Sequence, residues 1–119
     1  MKTILAIDDS EDILFLEKMV LTKAGYIVHT ALSGTEGLRK ITELTDLDLI
    51  LLDYEMAPMN GPGFLKALQL QSPKVFEKTK IVFASAHENP PSNVTQRWIP
   101  KIRDIDEFIK NIAEILHYS

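Results

Sequence analysis

Residues 48–53 read Asp-Leu-Ile-Leu-Leu-Asp, with four consecutive apolar side chains between two aspartates. Side chains along a strand alternate between its two faces, so an unbroken apolar run is buried on both. That is the pattern of a central strand in a parallel sheet covered by helices above and below. Thr3–Ile7, Tyr26–Ala31 and Lys80–Ala84 are further strand-like runs, and Arg97–Ile99 is a shorter fifth. Helical patterns lie between them. Ser10 offers an N-cap with Glu11 and Asp12 in the first turn; Ile13, Leu16, Val20 and Ala24 repeat at helical spacing beside Leu14 and Leu21, and Gly25 is a stop. Ser33 and Glu36 form a capping box before Leu38, Ile41 and Leu44. Phe64, Leu65, Leu68 and Leu70 mark a third helix that ends at Ser72-Pro73. A last helix opens at Asp104 with Glu107 three residues on, carrying Ile105, Phe108, Ile109, Ile112, Ile115 and Leu116. Residues 87–96, HENPPSNVTQ, hold two prolines and little apolar content, and read as loop. Strand–helix alternation of this kind predicts an α/β fold, a doubly wound parallel sheet with right-handed crossovers. Ligand sites in such sheets lie beyond the carboxyl ends of the strands.

The chain has 119 residues, enough for one domain spanning 1–119. It has no cysteine, which excludes a disulfide framework and a thiolate zinc site. The first apolar run is too short for a signal peptide, and no run approaches a membrane span, so a cytoplasmic protein without membrane contact is expected. Net charge is −4 and there is no Lys/Arg block, which argues against direct nucleic-acid binding.

Asp8, Asp9, Asp53, Ser85, Trp98 and Lys101 all fall at or just past the predicted strand ends. Each has an ordinary alternative: acids decorate helix starts, serines fill turns and lysines are solvated. Their shared position on one sheet edge points to a joint role. Three carboxylates within about 5 Å repel by roughly 3 kcal/mol per pair at an effective dielectric near 20. A lysine and a divalent cation would relieve that repulsion, and hard oxygen ligands without His or Cys point to Mg2+ or Mn2+ rather than zinc. No glycine-rich nucleotide loop is present. The group set suits a small phosphoryl group, with one carboxylate as nucleophile forming an acyl phosphate.

The segments ILAIDDSED, LDLILLDYEM followed by MNG, IVFASA and WIPK resemble a response-regulator receiver domain of two-component signalling, over essentially the whole length. The resemblance implies a five-stranded sheet of order 2-1-3-4-5. It makes Asp53 the phosphoacceptor, Asp9 a direct Mg2+ ligand, Asp8 a ligand largely through water, and the backbone carbonyl of Glu55 a further ligand. Ser85 would bind the phosphoryl group and Lys101 would pair with it. Trp98 falls at the family's switch aromatic, usually Tyr or Phe, so Ser85 and Trp98 form the expected switch. Glu55 and His87, each two residues beyond a site residue, stand where the family tunes acyl-phosphate lifetime.

Three features depart from the family. Proline precedes the lysine, as Pro100-Lys101-Ile102, rather than following it. The usual Met-Pro becomes Met56-Ala57-Pro58, although Gly61 keeps its place. Ser85 and Lys101 are only sixteen steps apart, so the helix of the crossover between the fourth and fifth strands should be short or absent, as Pro90-Pro91 also implies. That region often dimerises in the family, which leaves a homodimer among the expectations.

The chain stops two residues after His117. The expectation is a phospho-accepting receiver without an attached effector, supplied by a histidine kinase or phosphotransfer protein and signalling by docking. A degenerate receiver acting as a constitutive interaction module is the alternative. A phosphatase forming an aspartyl phosphate is more remote, since such enzymes present Asp-x-Asp where this chain has Asp53-Tyr54-Glu55.

Overall fold

A computed structural model describes residues 1–117. Five strands and five helices follow in the order β1 Thr3–Ile7, α1 Glu11–Lys23, β2 Ile27–Ala31, α2 Gly34–Ile41, β3 Leu49–Asp53, α3 Gly61–Gln71, α4 Pro73–Lys78, β4 Lys80–Ser85, β5 Arg97–Pro100 and α5 Ile105–His117 among the described residues. The sheet is wholly parallel in the order β2-β1-β3-β4-β5, as the resemblance implied. None of the described helices is long and apolar enough to cross a membrane.

The unbroken apolar runs divide between two cores by strict alternation. Ile4, Ala6, Leu49, Leu51, Val82, Ala84 and Ile99 face α1 and α5. Leu5, Ile7, Ile50, Leu52 and Phe83 face the α2 and α3 side. All five residues of β3 are buried, which is why its sequence carries no polar face.

Most helix ends follow the predicted chemistry. The Ser10, Ser33 and Asn60 side chains accept hydrogen bonds from the N–H groups of Ile13, Glu36 and Gly63. Asp104 Oδ1 accepts from the Glu107 N–H at 3.0 Å, capping α5. Gly25, at φ 103°, takes the left-handed turn that ends α1.

α3 ends at Gln71 with Ser72 as its C-cap, as predicted, but Pro73 at once starts a further short helix, α4, at a first-turn position where its missing N–H costs nothing. Two expectations need correction. Leu70 is exposed rather than on the buried stripe of α3. The buried stripe of α1 is Leu14, Glu17, Val20 and Leu21, so the helix is rotated from the predicted phase and carries an acid inward. The crossover between β4 and β5 holds no helix among the described residues. Val94 and Trp98 pack onto the α2 and α3 side in its place.

Candidate functional site

The parallel register places the carboxyl ends of β1, β3, β4 and β5 along one edge, with β1 and β3 adjacent at the point where strand order reverses. Asp53 closes β3 and Ser85 closes β4, and both are buried. Asp8 follows β1; its N–H donates to the Ala31 carbonyl of β2, and its Oδ1 accepts the Ser10 N–H at 2.9 Å. Carboxylate oxygens of Asp8, Asp9 and Asp53 lie within 4.8 Å of one another. Asp8 and Asp53 are nearly inaccessible, whereas Asp9 is exposed and makes no side-chain hydrogen bond among the described residues.

Lys101 joins this cluster although proline precedes it. Its N–H donates to the Ser85 carbonyl at 2.9 Å, so the backbone of Pro100-Lys101 is still tied to β4. Its Nζ lies 3.1 Å from Asp8 Oδ2 and 3.3 Å from Asp53 Oδ1. Burial lowers the affinity of the ammonium for its proton, but Asp8 and Asp53 together outweigh that and hold its pKa above the usual lysine value. The pKa of Asp53 is raised, by burial first and then by Asp8, with the Glu55 N–H and Lys101 partly opposing. Asp8 thus repels the Asp53 carboxylate, second to burial among the causes, and an all-oxygen donor set at this spacing fits a hard divalent cation.

Asp53 Oδ1 also accepts the Glu55 N–H at 3.2 Å. One oxygen of this carboxylate is thus fixed by Lys101 and Glu55, and the other accepts no hydrogen bond among the described residues. Gly61 lets the loop close behind it: a Cβ there would meet Phe83 at 2.5 Å and the Asp53 carbonyl at 3.2 Å. The same residue's N–H donates to the Tyr54 carbonyl at 3.0 Å.

Glu55 and His87 pair with each other, an arrangement that no local sequence pattern signals. His87 Nε2 lies 3.1 Å from the Glu55 carboxylate, bridging the loops after β3 and β4. The His87 N–H donates to Ser85 Oγ at 3.1 Å, and its carbonyl accepts the Trp98 indole N–H at 2.9 Å. The indole is half-buried against Tyr54 and Phe83, with ring centroids 5.0 and 6.0 Å away. All the residues singled out from sequence thus meet at one edge, in two connected groups: the carboxylates with Lys101, and Ser85–His87–Trp98 with Glu55.

Comparison with known proteins agrees with this architecture. Residues 4–110 match the response regulator receiver domain family. The chain is 33% identical to the chemotaxis protein CheY of Thermotoga maritima over 71% of its own length and 68% of CheY. It is also 33% identical to the transcriptional regulatory protein GlrR of Escherichia coli, over 98% of this chain but 26% of GlrR. It thus spans about a quarter of that regulator, and 12% of the sensor kinase CckA of Brucella abortus, to which it is 27% identical. Among solved structures, Vibrio cholerae CheY4 superposes with a TM-score of 0.85 at 30% identity, over 98% of this chain and 99% of that one. The response regulator TrrA of Thermotoga maritima, in complex with Mg2+-BeF, gives 0.81 at 28% identity over 98% and 100% of the two chains. With the 2-1-3-4-5 sheet and the acidic pocket of Asp8, Asp9 and Asp53 in place, the chain belongs to the response regulator receiver domains, the signalling domains of two-component systems.

Proposed function

We propose that this receiver accepts a phosphoryl group on Asp53 from the phosphohistidine of a histidine kinase or phosphotransfer protein, and signals through protein docking. The observation that carries this reading is the asymmetry of Asp53: one oxygen is held by Lys101 and the Glu55 N–H, and the other accepts no hydrogen bond among the described residues, in a carboxylate clustered with those of Asp8 and Asp9. That second oxygen attacks phosphorus as the bond to the donor nitrogen breaks, and the nitrogen takes up a proton. Lys101 and the Ser85 hydroxyl then hydrogen-bond the phosphoryl oxygens of the acyl phosphate. Asp8, Asp9, Asp53 and the Glu55 carbonyl would hold Mg2+, whose charge offsets that of the phosphoryl oxygens. The Glu55–His87 pair spans the mouth of the site and limits water access to the acyl phosphate.

A donor must bring its histidine to this edge. Helix α1 begins two residues after Asp9, and its side chains Phe15 and Met19 are 73% and 51% exposed; Ile105, at the start of α5, is 46% exposed. These apolar groups beside a polar site suit a protein surface rather than a free small donor. The reading is tested by incubating the protein with Mg2+ and acetyl phosphate and measuring intact mass. Labelling of the parent and none of Asp53→Asn is expected; labelling of both would place the acceptor elsewhere. The helix-free crossover favours a second reading, a constitutive docking module, which predicts no labelling and unchanged partner binding in Asp53→Asn.

A further inference from the structure

Helix α1 is apolar on two faces. Leu14, Val20 and Leu21 are buried against the sheet and α5, whereas Phe15 and Met19, four residues apart on one helical stripe, are largely in solvent. Beside that stripe α1 and α5 leave a groove of about 380 Å3, lined by Met19, Val20, Lys23, Ala24, Ile105 and Ile109. Its only charged wall is Lys23. An exposed aromatic knob thus stands next to an apolar hole on the same surface.

The charges of the stripe are sorted by end. Asp12 lies three residues before Phe15 and Lys23 four residues after Met19, and both are exposed. The midpoint of Phe15 and Met19 is Glu17, and that of Asp12 and Lys23 falls between Glu17 and Lys18. The two centres coincide within half a residue, under about 1 Å along the axis. A second α1 laid antiparallel across the first, turned about a two-fold axis at that centre, therefore sets Asp12 against the copy's Lys23 and Lys23 against its Asp12. Phe15 then comes level with the copy's Met19 and Val20, which line its groove. The turn of about 100° per residue puts Asp12, Met19 and Lys23 on the α5 flank of Phe15 and Lys18 on the other. The two-fold keeps like flanks together, so acid meets lysine on the α5 side and Lys18 stays outside the pairs.

We propose that this face of α1 and α5 is an interface for a second copy of this chain: an isologous antiparallel pairing in which Phe15 of each protomer enters the groove of the other and Asp12 and Lys23 form two symmetric ion pairs at its ends. A foreign helix would need complementary charges at the same spacing; a second copy already carries them. The buried aromatic supplies most of the affinity and the charges at the rim set the orientation. Phe15, Met19 and Ile105 are also the groups proposed to receive the donor protein, so a paired receiver has that face covered. The pairing does not depend on that reading.

The test is sedimentation velocity of the whole chain from about 1 μM to about 1 mM, the range in which a weak dimer forms. The parent should pass from monomer to dimer, and Phe15→Ala should stay monomeric. Asp12→Lys and Lys23→Asp should each weaken self-pairing about tenfold or more, because the two-fold repeats every like-charge contact. An equimolar mixture of these two single variants should pair as tightly as the parent, since each then meets the opposite charge in the other at both ends. Circular dichroism of each variant shows that α1 is still formed, and Phe15→Ala supplies the comparison if a charge reversal unfolds. A parent that stays monomeric throughout would overturn the proposal. So would a dimer that survives Phe15→Ala, or a mixture that pairs no better than its components. Acetyl-phosphate labelling reads Asp53 and not this face, so the proposed function and the pairing fail separately.

Discussion

The acidic edge and the crossover between β4 and β5 meet at Ser85, yet they are held by different forces. Asp8, Asp53 and Ser85 are each at most 3% exposed, and each ends or directly follows a strand paired on both sides. Their positions follow from sheet register, which cannot slip without turning whole strands inside out. Residues 86–96 have no ladder and no helix. They are attached by the Trp98 indole, the Glu55–His87 pair, the His87 N–H and the partly buried Val94. A segment held by so few contacts opens at far lower free energy than a central strand. On the proposed function, the chemistry belongs to the part of the molecule fixed by sheet register and the response to the more loosely attached part. Changes at the edge should abolish or sharply weaken function, whereas changes in the crossover should retune it.

The largest expected effect is at Asp53. Asp53→Asn keeps the shape of the side chain, removes the nucleophile and removes a charge that Asp8 repels. Labelling by acetyl phosphate should be lost completely while thermal stability holds or rises, because the carboxylate it replaces has a raised pKa. A variant that loses both labelling and fold would show that the edge is structural as well as chemical.

Next in size is the metal. Both oxygens of Asp8 are engaged, by the Ser10 N–H and by Lys101, whereas Asp9 is exposed and open. Asp9→Ala should weaken Mg2+ binding tenfold or more, about 1.4 kcal/mol, and more than Asp8→Ala does. Being exposed and not among the charges that act on Asp53, Asp9 should leave the stability of the empty protein nearly unchanged when replaced. Calorimetric titration and thermal denaturation of both variants check this, and equal affinities would remove the distinction between the two aspartates.

The same contrast decides what was legible in the sequence. Strand ends, caps and site residues follow from local rules: DLILLD must be buried on both faces, Ser33 must cap, and a residue closing a parallel strand must reach the common edge. The missing crossover helix was legible too, from Pro90-Pro91 and a short spacing. Glu17 was not. Apolar periodicity assigns the inward face of a helix by its hydrophobic residues, so it chose a phase of α1 that left an acid outside. The physical cost that makes a buried acid an unlikely prediction is what raises its pKa in the fold. The Glu55–His87 bridge escaped notice for another reason: thirty-two residues separate its members, and only the loop path brings them together. α4 was missed because a proline that ends one helix can also begin the next.

A smaller effect is expected at that bridge. Glu55→Ala and His87→Ala should each speed loss of the phosphoryl group several-fold by opening the mouth of the site. Because the two side chains touch, the double variant should be no faster than the quicker single one. Dephosphorylation followed by intact mass provides the three rates. Multiplicative effects would mean that each residue acts on water by itself.

Trp98→Phe should have the smallest effect on the chemistry, and it separates the two regions most directly. The substitution keeps an aromatic ring against Tyr54 and Phe83 but deletes the indole N–H that donates to the His87 carbonyl. One hydrogen bond of this kind contributes about 1 kcal/mol. That is little for the domain, but a large share of what holds residues 86–96. Yield of acetyl-phosphate labelling should be unchanged, since no group of the acidic edge moves. Hydrogen exchange over 87–96 should rise about fivefold, the factor equivalent to 1 kcal/mol, while exchange in β1 and β3 stays as in the parent. In the parent, Mg2+ and beryllofluoride should slow exchange in the same segment, because drawing Ser85 toward the phosphoryl position reorders its bond to the His87 N–H. Trp98 is the sole tryptophan, so quencher access reports the ring itself. A large loss of quencher access on beryllofluoride binding, with exchange over 87–96 unchanged, would mean that the ring moves rather than the loop, and the crossover would then be a passive cover.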